Sequence, residues 1–172
     1  LTCLNHHLAR ENSMTFTPLQ IATIACAVLA GIGSGMMYVF STGVMAGLGQ
    51  LTQAEAVRAM QAINVAVINP LFLGVFMGTG LFAVVVAGIS LMGGTGPTNT
   101  WLIAGAALYL IGVVVVTVAG NVPLNNALEA LDSTALSPAA WADYAEPWLR
   151  WNHLRALAGA LSSALLIVAA TR

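Results

Sequence analysis

Three asparagine-rich clusters border the apolar stretches of this chain, and they hold most of the side chains able to do chemistry. They are Met60-Gln61-Ala62-Ile63-Asn64, with Asn69-Pro70 just beyond; Gly120-Asn121-Val122-Pro123-Leu124-Asn125-Asn126; and Trp148-Leu149-Arg150-Trp151-Asn152-His153-Leu154-Arg155. In the last cluster Trp148, Trp151, Asn152, Arg155, Gly159 and Ser162 fall at helical offsets of 0, 3, 4, 7, 11 and 14, one stripe of a helix. A guanidinium at membrane depth needs a carboxylate, carbonyls or an anionic ligand. Arg155 therefore suits a phenolate, enolate or carboxylate, with Trp148 and Trp151 as flat walls for an aromatic body. The same spacing also suits a plain interfacial belt of tryptophans with a snorkelling arginine.

Asn121 and Asn125 lie one helical turn apart with Pro123 between them. Proline loosens the backbone ladder, so these amides are either local caps or neutral donors aimed at a substrate oxygen, with Asn64 and Asn69 adding to the set. His153 points about 100° away from Asn152 on a helix and away from Arg155, which makes it a poor base for that stripe. No second histidine or paired carboxylate accompanies it, so metal and haem ligand sets are lacking and no cofactor is expected. Phosphate-binding glycine loops, dinucleotide fingerprints, nucleophilic serine motifs and CxxC pairs are also lacking.

The elements that position these clusters follow from composition. Of 172 residues 59% are hydrophobic and only 6% are charged. Soluble domains carry about 25% charged residues, so most of this surface must meet lipid. A net charge of −1 with five arginines and no lysine provides no basic patch for nucleic acid. The expected fold is all-α: a four-transmembrane-helix bundle with spans at about 21–48, 71–92, 101–120 and 148–170. If the chain alternates across the bilayer, all three polar clusters share one side. Arginine counts lean slightly against an N-in, C-in orientation, which is nonetheless retained because Arg155 and Arg58 can belong to the site.

The connections differ in kind. Gly93–Asn99 reads as a tight turn. Between the first and second spans, Thr52 and Glu55 form a capping-box pattern that opens a short amphipathic interfacial helix. It has Ala56, Met60, Ile63 and Val67 on one face, Arg58, Gln61 and Asn69 on the other, and a break near Pro70. The third helix is expected to run on to Leu131, turn at Asp132-Ser133-Thr134, and be followed by a short helix from Ser137-Pro138 before the fourth span. Gly31/Gly35, Gly43/Gly47 and Gly74/Gly78 have the spacing of close helix crossings, within one chain or between copies. Cys3 and Cys26 are expected to stay unbridged. Residues 1–13 read as a tail of upstream or appended sequence, with Met14 as the natural start.

The order of the clusters resembles the anthrone-oxygenase-like family of small four-helix integral membrane proteins. The resemblance rests on Met60–Asn64 with Asn69-Pro70, on Gly120-Asn121-Val122-Pro123-Leu124-Asn125, and on Trp148 with Trp151-Asn152-His153-Leu154-Arg155. It implies a bacterial plasma-membrane protein that oxidises a hydrophobic phenolic or polyketide-like substrate with dioxygen, without a cofactor. In that reading Asn121, Asn125 and Asn152 hold the enolate oxygen, Arg155 stabilises its charge, and Asn64, Asn69, Trp148 and Trp151 bind the substrate. The competing class is a non-catalytic membrane accessory subunit that binds a partner protein, a second copy or lipid through its polar stripe. A small-molecule permease is a weaker third, because no acidic residue falls inside a span as drawn above.

Overall fold

The computed structural model describes residues 16–93 and 96–172. The expectations for Cys3, Met14 and the tail 1–13 concern residues outside those described. Five helices follow one another: α1 (Pro18–Leu48), α2 (Gln53–Ala66), α3 (Pro70–Met92), α4 (Thr98–Glu129) and α5 (Ala140–Ala170). All but α2 are long and apolar enough to cross a membrane, with mean hydropathies of 1.8, 2.2, 2.5 and 1.6 in chain order. The protein is an integral membrane protein of four spans, and α2 is the short helix expected between the first two.

Helix starts are written locally. Thr17 caps α1 through a capping box with Gln20, and Pro18 stands in its first turn. Thr52 and Glu55 do the same for α2. Asn69 caps α3, its Oδ1 accepting from the Leu71 and Phe72 amides. Asn99 ties the start of α4 to the end of α3, donating to the Ser90 carbonyl at 3.1 Å and accepting from its hydroxyl at 2.6 Å.

Polar side chains also set the helix register, because hydroxyls and amides find carbonyl partners on neighbouring helices. Gln20 Nε2 donates to Ala170 O, Ser163 Oγ to Ala27 O, and Ser34 Oγ to Ala156 O. Steps of seven residues up α1 match steps of seven down α5, the repeat of an antiparallel left-handed crossing. Ser162 donates to Gly105 O across α4 and α5, and Tyr109 to Phe76 O across α4 and α3. By that register Pro70 stands roughly level with Thr117, so the last three turns of α4 overhang the start of α3. At 1.5 Å per residue α1, α4 and α5 are each about 46–48 Å long, well beyond a hydrocarbon core of about 30 Å. Their surplus gathers at one end of the bundle, where α2 packs Ala56, Val57 and Met60 inward.

Several expectations are corrected. Helix α5 begins at Ala140 and runs unbroken through Pro147, so the short helix before the fourth span is the first part of that span. Burial of Tyr144 and Trp148 on either side of the proline offsets the one lost backbone bond. Helix α4 begins at Thr98, inside the expected turn, and ends at Glu129. Gln61 is not a free polar residue: it donates to the Leu128 and Leu131 carbonyls, fastening α2 to the end of α4. Of the six spaced glycines only Gly31 has another helix within contact, Ser163 Oγ at 3.3 Å from a Cβ placed there. The close crossings are elsewhere. At Gly112 an added Cβ would collide with Ala158, and at Gly120 it would lie 2.6 Å from the Trp151 ring. Cys26 is a free, buried thiol in the apolar cluster with Ala27, Val86 and Leu102.

Candidate functional site

The overhanging end encloses a cavity of about 520 Å³, within the range of about 300–1,000 Å³ usual for small-molecule sites. Its walls are mostly apolar and come from all five helices: Met37 and Phe40 of α1, Met60 and Ile63 of α2, Phe72 and Phe76 of α3, Val118 of α4 and Trp148 of α5. Two polar stripes face it. On α4, Thr117, Asn121, Asn125 and Glu129 recur every four residues, and on α5 Trp148, Asn152 and Arg155 do so at four and three. The helix walls are locally widened: α1 makes a π-turn at Phe40–Val44, and α4 does so at Leu110–Val115 and Thr117–Asn121. Such turns are frequent at functional sites.

Arg155 is 8% exposed and has no carboxylate partner. Among the described residues the single ion pair is Arg150–Glu146, both members largely exposed. Arg155 instead donates through Nη2 to Asn152 Oδ1 at 2.6 Å and through Nη1 to Thr117 Oγ1 at 3.1 Å. Its guanidinium carbon lies 5.6 Å from the centre of the Trp148 ring, a cation–π contact. A buried cation held only by neutral groups is costly, and it attracts an anion.

The partners settle which way each amide faces, because backbone carbonyls only accept and indole or guanidinium nitrogens only donate. Asn152 Nδ2 donates to Met37 O at 2.7 Å and to Ser41 Oγ at 2.8 Å, while its Oδ1 serves Arg155. Asn125 Oδ1 accepts from Tyr144 Oη at 3.0 Å and Trp148 Nε1 at 2.8 Å, leaving its Nδ2 uncommitted. Asn121 Nδ2 donates to Trp148 O at 3.1 Å, leaving its Oδ1 as a buried acceptor without a partner. Asn64 Nδ2 and Arg155 Nε are buried donors without a hydrogen bond of ordinary geometry, Asn64 lying close to the Tyr144 hydroxyl that donates to Asn125. These three are the only such atoms among the described residues, and all belong to residues lining this cavity. Native interiors rarely leave such atoms unmatched, so their partners, water or a ligand, must come from this cavity.

Six of the eight expected site residues meet here: Asn64, Asn121, Asn125, Trp148, Asn152 and Arg155. Two do not. Asn69 is consumed as the cap of α3, and Trp151 is 41% exposed, lying on the outer face of the bundle over Gly120. It stands at the edge of the stripe, where a flat ring covers a glycine and reaches lipid. Two expected roles change as well. Asn152 has both donors spent and acts as the holder of Arg155, and Asn121, with one N–H spent on Trp148 O, presents an oxygen without a partner. His153 is exposed and lines a shallow groove between α1 and α5, with Gly35 and Tyr38, on a different face of α5.

Thr117, Tyr144 and Glu129 were missed as members of this constellation. The four-residue repeat from Thr117 to Glu129 lies within the helix expected to run on to Leu131, but it was not read as one stripe. Among the described residues no group of three or more His, Cys, Asp or Glu comes together as a metal site.

A family model described as anthrone oxygenase matches residues 66–165, more than half of the chain. The matched stretch holds α3 and both polar stripes, while Asn64 and the α1 wall precede it. No curated protein and no solved structure matches the chain with significance.

Proposed function

We propose, since the chain belongs to the anthrone oxygenase family, that the cavity binds a flat, hydrophobic phenolic carbon acid such as an anthrone and oxidises it with dioxygen. The acidic methylene loses a proton to a base and its electron pair delocalises onto the carbonyl oxygen as an enolate. The carbanionic carbon forms a C–O bond with dioxygen, and the peroxide takes up a proton. Loss of the remaining hydrogen and cleavage of O–O release water and leave a new carbonyl, so one dioxygen supplies one quinone oxygen and one water.

The observation that carries this reading is the buried, carboxylate-free Arg155 beside the partnerless Asn121 Oδ1 and Asn64 Nδ2, which has no hydrogen bond of ordinary geometry. Arg155 Nε and Asn64 Nδ2 donate to the enolate oxygen, where charge grows as the proton leaves. Asn121 Oδ1 accepts from a substrate hydroxyl. Phe72, Phe76 and Trp148 flank the rings, and Thr117 and Asn152 keep the guanidinium aimed.

The test is oxygen uptake by the detergent-purified protein with anthrone, corrected for autoxidation in the same detergent. Removing one such electrostatic donor typically costs on the order of 10²–10³ in rate, the loss expected for Arg155→Ala. Asn121→Ala should weaken substrates that carry a hydroxyl more than those that lack it. Absence of uptake, or uptake equal in parent and both variants, would sink the enzyme reading. Stable co-purification with another polypeptide would then favour the accessory subunit.

A further inference from the structure

We infer that Glu129 is the proton acceptor of this cavity, taking the proton from the acidic carbon of the bound substrate and passing it to water. The inference rests on the carbon-acid reading above, which needs a base that His153 does not provide from its groove on the other face of α5.

Three observations converge on Glu129. It is the only carboxylate among the residues lining the cavity. It continues the α4 stripe one helical turn beyond Asn125, and it lines the cavity as an exposed residue while Asn121 and Arg155 are buried. It is exposed and forms no ion pair among the described residues, so no cation holds it away from the cavity. A base must also shed its proton once per turnover. A residue that lines the cavity and is itself exposed can do so, whereas one sealed inside cannot.

Its position is otherwise unfavourable. Glu129 is the last residue of α4, where the helix dipole is negative and a lysine or arginine would be the stabilising choice. The nearest cation of the site, Arg155, lies at the opposite, buried end of the polar array and is already held by Asn152 and Thr117. A carboxylate kept at a helix end that disfavours it, and turned toward a cavity with a cation at its far end, has the layout of a base opposite an anion stabiliser. The step balances: the substrate C–H bond breaks, its proton goes to a carboxylate oxygen of Glu129, and its electron pair stays in the enolate that Arg155 holds.

Proton transfer can be read without oxidation. The full chain in detergent is incubated with anthrone in anaerobic deuterated buffer, and deuterium entry into the methylene is followed by mass spectrometry above the buffer rate. General-base catalysis typically supplies on the order of 10²–10⁴, so Glu129→Gln should lower the exchange rate at least about 100-fold. The same variant should melt no lower than the parent and bind a non-exchanging phenol with unchanged affinity by tryptophan quenching. Exchange in Glu129→Gln equal to the parent, or no exchange above buffer in the parent, overturns the assignment. Exchange that depends on Glu129 without any oxygen uptake would leave it standing and remove the oxidase reading. Oxygen uptake by a parent whose exchange ignores Glu129→Gln would do the reverse.

Discussion

Asn152→Asp asks whether the positive charge of Arg155 is left uncompensated for the sake of a ligand. Asparagine and aspartate have the same shape, so the 2.6 Å contact with Arg155 Nη2 survives the change. The donor to Met37 O at 2.7 Å becomes an acceptor facing an acceptor, at a cost of about 1–3 kcal/mol. Ser41, which now accepts from Asn152, can turn its hydroxyl and donate instead. Against these losses stands a new ion pair, whose gain is largely consumed by drying the added carboxylate. Net stability is therefore expected to move by less than about 3 kcal/mol.

Ligand binding responds differently. A phenolate that met a cation now meets a neutral pair. At an effective dielectric of about 20, the attraction removed is about 4 kcal/mol at ~4 Å and about 2 kcal/mol at ~8 Å. The dissociation constant for a phenolate should rise roughly 30-fold to several-hundred-fold. Quenching of tryptophan fluorescence reports it, since Trp148 lines the cavity. The methyl ether of the same phenol carries no charge and should bind parent and variant alike. A variant that keeps the melting temperature and binds the phenolate as tightly as the parent does would refute the anion-site reasoning, because Arg155 would then be indifferent to ligand charge.

Two further perturbations address the scaffold. At Gly112 an added Cβ meets the Ala158 side chain, with the Ala158 Cα at 3.8 Å. Gly112→Val should therefore cost at least about 1–3 kcal/mol by overpacking, seen as a lower melting temperature, whereas Gly78→Ala, with nothing within 4 Å, should be neutral or slightly stabilising. The Glu55 carboxylate is held below its ordinary value by the hydrogen bonds from the Thr52 hydroxyl and amide. A depressed carboxylate contributes stability above its unfolded pKa and loses it as pH falls through the lower folded value. Amide protection factors in the first turn of α2, corrected for the intrinsic pH dependence of exchange, should fall on acidification in the parent, and Glu55→Gln should flatten that dependence.

The spans and the shared side of the polar clusters were legible because each depends on short-range rules: hydropathy, caps at Thr17 and Thr52, and strict alternation. The stripe on α5 was legible for the same reason, and it failed only at Trp151, on its margin. Glu129 was passed over although the helix was expected to reach Leu131. A lone carboxylate beyond the last apolar turn reads as solvated surface until the repeat from Thr117 is placed against a cavity. The roles of the amides were out of reach for a deeper reason. A sequence shows that Asn121 has two N–H donors and one acceptor oxygen, but which of them is spent depends on the carbonyl of Trp148, 27 residues away. The same holds for Asn152, whose donor is taken by a carbonyl at the edge of the π-turn in α1. The chemistry of such a site lies in what remains after the fold has taken its hydrogen bonds. Here the remainder is an acceptor on Asn121, donors on Asn64 and Arg155, and a positive charge with no counter-ion. Each term of that remainder is set by packing between helices, so residue types alone name the reagents but not the ends they present.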